Sequence, residues 1–183
     1  LEKWKRENKD SEIILKESSN RGTLMHGYLS EMLMGKMNGE LIEEVNLPKK
    51  MAETIISHGL NDYIKEVYAS EECVYSLKYK YAGTMDALIS TKENKLQICD
   101  FKQKNSPAKR EYSSIRNYFT QCILYAIAHN EIHGTKIQSS VILMCTPNLI
   151  FQKFEIEGQE FMDLQKEALE RVEHYHQLIS KSI

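Results

Sequence analysis

No two cysteines of this 183-residue sequence form a C-x-x-C pair; Cys73, Cys99, Cys122 and Cys145 are dispersed along the chain. That spacing disfavours zinc ribbons and dithiol redox motifs. The four are expected to be buried thiols in an intracellular, reducing compartment, whether phage or bacterial cytoplasm or an organelle matrix. Long apolar runs are missing too. No stretch approaches the roughly 18 apolar residues that would span a bilayer, so no membrane contact is expected. Positive charge is not in excess: 24 Lys+Arg stand against 26 Asp+Glu, for a formal net charge of -2. A protein that coats nucleic acid non-specifically needs concentrated Lys and Arg, so only a local basic patch remains open. Repeats, low-complexity tracts and linkers are lacking as well. The chain opens on Leu1, not Met, and Leu1 to Arg6 carries no apolar secretory run. A targeting segment upstream is therefore allowed for.

What is present fits one globular domain. The hydrophobic share is 42% and the charged share 27%, and this length can bury a sheet between helices without disulfides. Leu1 to Ser19 is charged with sparse apolar residues and reads as a short helix and a loop. From Gly22 to Met37, Leu24, Met25, Tyr28, Leu29, Met32 and Leu33 recur at helical spacing, which turns His26 inward. A second helix is expected from Pro48 to Tyr68, with proline at a permitted first-turn position. Strand-like stretches follow at Cys73 to Lys78, Tyr81 to Thr91 and Lys95 to Lys102, the last two joined by the turn Lys92-Glu93-Asn94. A long helix (Ile115 to His129), strands at Ser139 to Cys145 and Leu149 to Ile156, and a final helix (Gln159 to Ile179) complete the order. The expected class is α/β: a mixed sheet flanked by helices, with 1–70 mainly helical and 71–183 supplying the sheet core.

The chemistry gathers on two strands. In Asp100-Phe101-Lys102, residues two apart share a strand face, so a carboxylate projects beside an ammonium while Phe101 turns away. Asp86 lies at the equivalent depth of the preceding strand, in Gly83-Thr84-Met85-Asp86, and hairpin pairing would bring both carboxylates together. A hard divalent cation such as Mg²⁺ or Mn²⁺ relieves their repulsion, polarises a phosphoryl oxygen and activates water. Lys102 would orient that water or stabilise charge on phosphorus. Asp-x-Lys on a strand is often only a solvated ion pair. Here Leu96 to Cys99 is largely apolar right up to Asp100, which marks a buried strand delivering charge at its end.

Four motifs in order resemble the RecB-like branch of the PD-(D/E)xK nucleases: His26, then Gly83-x-x-Asp86, then Asp100-Phe101-Lys102, then Gln121-x-x-x-Tyr125. Within that branch the likeness leans toward the mitochondrial genome maintenance exonucleases, through Leu1 to Lys5, Arg21-Gly22-x-x-x-His26, Tyr81 to Asp86 and Leu96 to Lys102. The resemblance implies a restriction-endonuclease-like core that hydrolyses DNA, exonucleolytically and on single strands, in repair, replication or recombination. It further implies that His26, Asp86, Asp100 and the Phe101 carbonyl ligate Mg²⁺ or Mn²⁺, that Lys102 is catalytic, and that Gln121 and Tyr125 contact substrate or brace the site. Glu71 matches the acidic residue preceding the motif strands, with Glu72 as its rival. Gln103-Lys104 departs from the small hydroxylated residue that relatives commonly carry after Asp-x-Lys. Relatives that hold an iron-sulfur cluster use one early and three clustered late cysteines; with dispersed cysteines, no cluster is expected here.

Lys78, Lys80, Lys102, Lys104, Lys109 and Arg110, interleaved with Tyr79, Tyr81 and Tyr112, form a candidate single-strand track. An opening over the centre is expected from the first two helices and the Gly35 to Leu47 segment. A duplex exonuclease, a structure-specific endonuclease on the same core, and a non-catalytic nucleic-acid module stay open as alternatives. No protein partner is deducible.

Overall fold

The most apolar stretches of the sequence become the middle of the sheet. A computed structural model describes residues 10–35, 46–111 and 113–181. Its helices are α1 (Ser11–Leu33), α2 (Leu47–Ile55), α3 (Ser113–His133) and α4 (Gly158–Ser180). Its strands are β1 (Ile64–Ser76), β2 (Tyr81–Thr91), β3 (Leu96–Gln103), β4 (Ser139–Cys145) and β5 (Phe151–Glu157). The sheet order is β1-β2-β3-β4-β5, antiparallel except where β3 runs parallel to β4 across the α3 crossover. Every residue of β4 is buried, as a strand covered on both faces requires.

One face carries Met85, Leu88, Ile98, Ile142 and Met144, packed against Phe119, Cys122 and Ile123 of α3 and Phe161, Leu164 and Ala168 of α4. The other carries Ala87, Ile89, Cys99, Phe101, Val141 and Leu143, packed against Met25 and Leu29 of α1 and Met51, Ala52 and Ile55 of α2. The architecture is the expected α/β mixed sheet with helices on both sides. β2 and β4 run over the expected residues, and the other late elements agree within a few residues at each end.

Three expectations need correction. The first helix begins at Ser11, not Gly22, and ends at Leu33; Leu1 to Lys9, the end expected at Met37 and most of the Gly35 to Leu47 segment lie outside the described residues. The second helix, started by Asn46 capping Lys49 N at 3.0 Å with Pro48 in its first turn, ends in a single π turn at Ile56–Leu60. Ile64 to Tyr68 then belong to β1, which is far longer than the Cys73 to Lys78 expected. Finally, Cys73 is exposed, although the other three thiols are buried.

The feature that positions the site is a parting of strands. β2 and β3 pair from Ser90↔Leu96 to Ala87↔Cys99 and no further. β3 continues alone beside β4 to Gln103↔Cys145. The next residues of the parted strands are Asp86 and Asp100.

Candidate active site

Where the backbone ladder stops, a side chain takes its place. Phe101 N donates to Asp86 Oδ2 at 2.7 Å, so a strand amide left unpaired by the parting is satisfied by a carboxylate. The other oxygen, Asp86 Oδ1, lies 3.5 Å from His26 Nδ1. Burial works against charge on Asp86, but the His26 contact, the Lys102 charge and the Phe101 amide outweigh it and hold the carboxyl below its ordinary value. Burial likewise works against charge on His26, and Asp86 reverses that, so its pKa is raised.

His26 reaches the site from α1, whose Met25 and Leu29 are fully buried against the sheet. Its ring stands edge-on to Phe101, 6.2 Å between centroids. Glu71 arrives from β1 by a left-handed backbone, φ 52°, a conformation that costs a non-glycine residue of order 1–3 kcal/mol and clusters at functional sites. The register passes from Ser70↔Ala87 to Glu72↔Met85, which leaves Glu71 across from Asp86 as the unpaired step. Glu71 Oε1 lies 3.8 Å from His26 Nδ1, and burial and the Asp86 charge raise its pKa. Neighbouring Glu72 instead exerts its charge on His129.

Asp100 is 1% exposed. Its Oδ1 accepts from Lys102 Nζ at 2.6 Å, whereas its Oδ2 is buried with no hydrogen-bond partner. Burial pushes this carboxyl up to about 7 against the pull of Lys102, with the Asp86 charge adding to the rise. Lys102 is itself raised, since Asp100 and Asp86 outweigh its desolvation. The ammonium also sits 5.1 Å from the centroid of the Tyr118 ring, a cation–π contact. Tyr118 was not among the expected site residues. Its position on the α3 face that carries Cys122 and Tyr125 was the available signal.

Gln121 Nε2 donates to Tyr125 Oη at 2.7 Å, one helical turn apart. The Tyr125 ring lies against Gly83: a Cβ there would fall 2.6 Å from its Cε1. The glycine of Gly83-x-x-Asp86 is thus the clearance for the tyrosine of Gln121-x-x-x-Tyr125, and the two motifs are one packed unit. Phe101 turns its ring away into the α1/α2 core, 1% exposed.

The ligand atoms of His26, Glu71 and Asp86 all lie within 4.8 Å of one another. Two carboxylates and an imidazole suit a hard divalent cation such as Mg²⁺ or Mn²⁺; Asp100, which interacts by charge with Asp86 and His26, is not one of the three. The residues therefore fit such an ion. The proposed basic track is less uniform than its composition. Arg110 is tied to Glu160 at 2.7 Å and to the Glu155 carbonyl at 3.0 Å, and Tyr81 Oη donates to the Leu124 carbonyl at 2.7 Å. Tyr112 lies outside the described residues.

No family model and no curated protein matches the sequence. Solved structures do. A candidate exonuclease from Eubacterium rectale superposes with a TM-score of 0.57 at 19% identity, over 88% of this chain and 66% of that one. The two share a fold. This chain spans 66% of that protein's length. An alkaline exonuclease from Laribacter hongkongensis also matches, at a TM-score of 0.35 and 13% identity over 85% of this chain and 83% of that one. That score is too low to bear on the architecture.

Proposed function

We propose that the chain is a divalent-metal-dependent exonuclease that hydrolyses phosphodiester bonds of DNA, with unpaired strands as its substrate. The observation that carries this reading is the convergence of His26, Glu71 and Asp86, in charge interaction with Asp100, whose buried Oδ2 has no hydrogen-bond partner. A buried carboxyl oxygen without a partner is costly unless a ligand completes it, and His26, Glu71 and Asp86 already converge on one place. His26, Glu71, Asp86, Asp100 and the Phe101 carbonyl would hold the ion. When bound, Mg²⁺ or Mn²⁺ supplies Lewis acidity toward a phosphoryl oxygen and lowers the pKa of water.

The chain's own residues do the rest. Lys102, fixed by Asp100 and the Tyr118 ring, presents a fully charged ammonium to the negative charge that develops on the phosphate oxygens. Asp86 anchors the mouth of the parted strands through the Phe101 amide, so the carboxylates keep their spacing as substrate enters. Gln121 and Tyr125, joined to each other and seated on Gly83, brace one side and offer an amide and a phenol to the strand. The sequence likeness to single-strand exonucleases supports the choice of substrate and of end-dependent cutting.

End-labelled linear and circular single strands, incubated with Mg²⁺ or Mn²⁺, test the proposal. Linear strands are expected to be degraded from an end and circles spared. Cleavage of circles would make the protein an endonuclease, and a preference for duplex ends would make it a duplex exonuclease. No cleavage with either metal would leave only a nucleic-acid-binding module.

A further inference from the structure

A second cleft lies outside the candidate active centre, at the C-terminal end of α3. Its volume of about 460 Å³ falls inside the roughly 300–1,000 Å³ range of small-molecule sites. It shares no lining residue with the metal cluster. Tyr68, Leu88 and Leu96 give it apolar walls, and Ser90, His129 and His133 are among its polar groups. The His129 and His133 rings, one helical turn apart, stack with centroids at 4.4 Å and planes inclined by 36°. No Lys, Arg, Asp or Glu among the described residues lines the cleft, so a phosphate or carboxylate entering it would meet no opposite charge.

The tautomer of His129 is dictated by its neighbours. Ile137 N donates to Asn130 Oδ1 at 2.8 Å and Asn130 Nδ2 donates to the Ile137 carbonyl at 3.0 Å, so the backbone fixes which end of that amide accepts. Thr135 Oγ1 therefore gives its single proton to Asn130 Oδ1, 2.7 Å away. His129 Nδ1 lies 2.8 Å from the same hydroxyl, which has only lone pairs left to offer, so Nδ1 carries the ring proton. Burial and the adjacent His133 lower the His129 pKa against the pull of Glu72, which favours the neutral ring. Nε2 is then a bare acceptor, since the ring's hydrogen bond among the described residues runs through Nδ1. Ser90 is the second open group: it is 5% exposed, and its buried Oγ has no hydrogen-bond partner. A buried hydroxyl left unpaired costs stability, and this one belongs to the cleft wall.

We propose that this cleft binds a free, uncharged, planar heteroaromatic molecule with an N–H donor beside a ring-nitrogen acceptor, the chemistry of an aminopurine or aminopyrimidine nucleoside. His129 Nε2 can only accept, so the ligand must bring the N–H; Ser90 Oγ has a proton to give, which the ring nitrogen takes. The imidazole pair and the Tyr68 ring supply the flat surfaces on which such a ring stacks. The lack of lining charge selects a nucleoside over a nucleotide or a stretch of nucleic-acid backbone. The inference stands apart from the nuclease reading.

Long-range ¹H–¹⁵N spectra of the native protein are expected to show His129 with Nδ1 protonated and Nε2 bare. Calorimetric titration then uses adenosine, cytidine and N6,N6-dimethyladenosine, which keeps the purine ring but has no N–H to donate. Adenosine or cytidine is expected to bind saturably, and the dimethyl analogue roughly tenfold or more weakly than adenosine. His129→Phe, which keeps a flat ring without the acceptor, is expected to weaken nucleoside binding by about tenfold. Ser90→Ala is expected to bind more weakly too, yet to melt at or above the native temperature, because it removes an unpaired buried hydroxyl. Binding of oligo(dA) in Ca²⁺ is expected to be the same in the native protein and His129→Phe. A protonated Nε2, no saturable binding of either nucleoside, equal binding of the dimethyl analogue, or native affinity in either variant overturns the inference. Weaker oligo(dA) binding in His129→Phe would overturn the assignment to a free ligand.

Discussion

Two partly buried polar clusters sit on this sheet, and they are built on opposite principles. In the first, Tyr63 Oη lies 2.5 Å from Gln97 Oε1 and 2.7 Å from Glu155 Oε1, and Gln97 Nε2 donates to the same carboxylate oxygen at 2.7 Å. Lys153 meets Glu155 Oε2 at 3.3 Å and covers the Tyr63 ring. Burial would raise the Glu155 pKa, but the bonds from Tyr63 and Gln97 and the Lys153 charge hold it below its ordinary value. None of these side chains has a buried polar atom without a partner. In the second cluster, at the other end of β3, Asp100 keeps one oxygen satisfied by Lys102 and one with nothing, and Glu71 holds a strained backbone to reach its neighbours. A closed network fixes structure. The open one retains capacity for a ligand, at a cost in stability that only function explains.

Exchanging the two clusters' behaviour would break that comparison. The largest effect belongs to Asp100→Ala, which is expected to cut DNA cleavage about a thousandfold or more, the worth of a ligand to a catalytic metal, as read by single-turnover degradation. Lys102→Ala is expected to lose roughly a hundredfold while still binding DNA. Gly83→Ala drives its Cβ into Tyr125 and is expected to lower cleavage by about tenfold and stability by about 1–3 kcal/mol, the latter by urea unfolding. Tyr63→Phe in the closed cluster is expected to lower stability by about 1–2 kcal/mol and leave cleavage at the native rate. If Tyr63→Phe instead abolished cleavage, the division between the clusters would be lost.

The smallest effect is a pH dependence. Asp100 titrates at about 7 in the folded protein, against 3.8 for the ordinary group. A carboxyl with a raised folded pKa favours the unfolded chain once the pH passes its unfolded value, so its penalty begins near pH 4 and is complete above about pH 7. In EDTA, the Tm of the native protein minus that of Asp100→Asn is expected to fall across this window. Mg²⁺ should recover the difference above pH 7, and a difference flat with pH would mean that Asp100 is not desolvated as described.

Much of this was legible in the sequence, for identifiable reasons. β2 and β4 were read correctly because Tyr81 to Thr91 is rich in strand-forming residues and bounded by polar turns, Ser139 to Cys145 carries the apolar run Val141 to Cys145, and Asp100-Phe101-Lys102 alternates as a strand must. The start of β1 was not. Ile64 and Val67 lie three apart, a helical interval, yet both pack on the α1/α2 face. Register shifts between Ile64 and Glu66 and between Val67 and Ala69 put them there, since each bulge rotates the strand and counterfeits a helical period. The left-handed turn at Glu71 is equally invisible, because glutamate carries no signal for it. Gly83 and Tyr125 were read as separate motifs; only packing shows that one makes room for the other. Nothing in the sequence sets Tyr118 apart from the other aromatics of α3; it joins the site because the Lys102 ammonium lies over its ring.

The central claim is that the open cluster holds a divalent cation that DNA cleavage requires. Calorimetric titration of metal-free protein with Mn²⁺, run beside cleavage of end-labelled single strands at each metal concentration, tests it most directly. The account predicts saturable binding that Asp86→Ala and Asp100→Ala each abolish, with cleavage rising as the site fills. Undiminished cleavage in EDTA, or native metal binding in both variants, would contradict it.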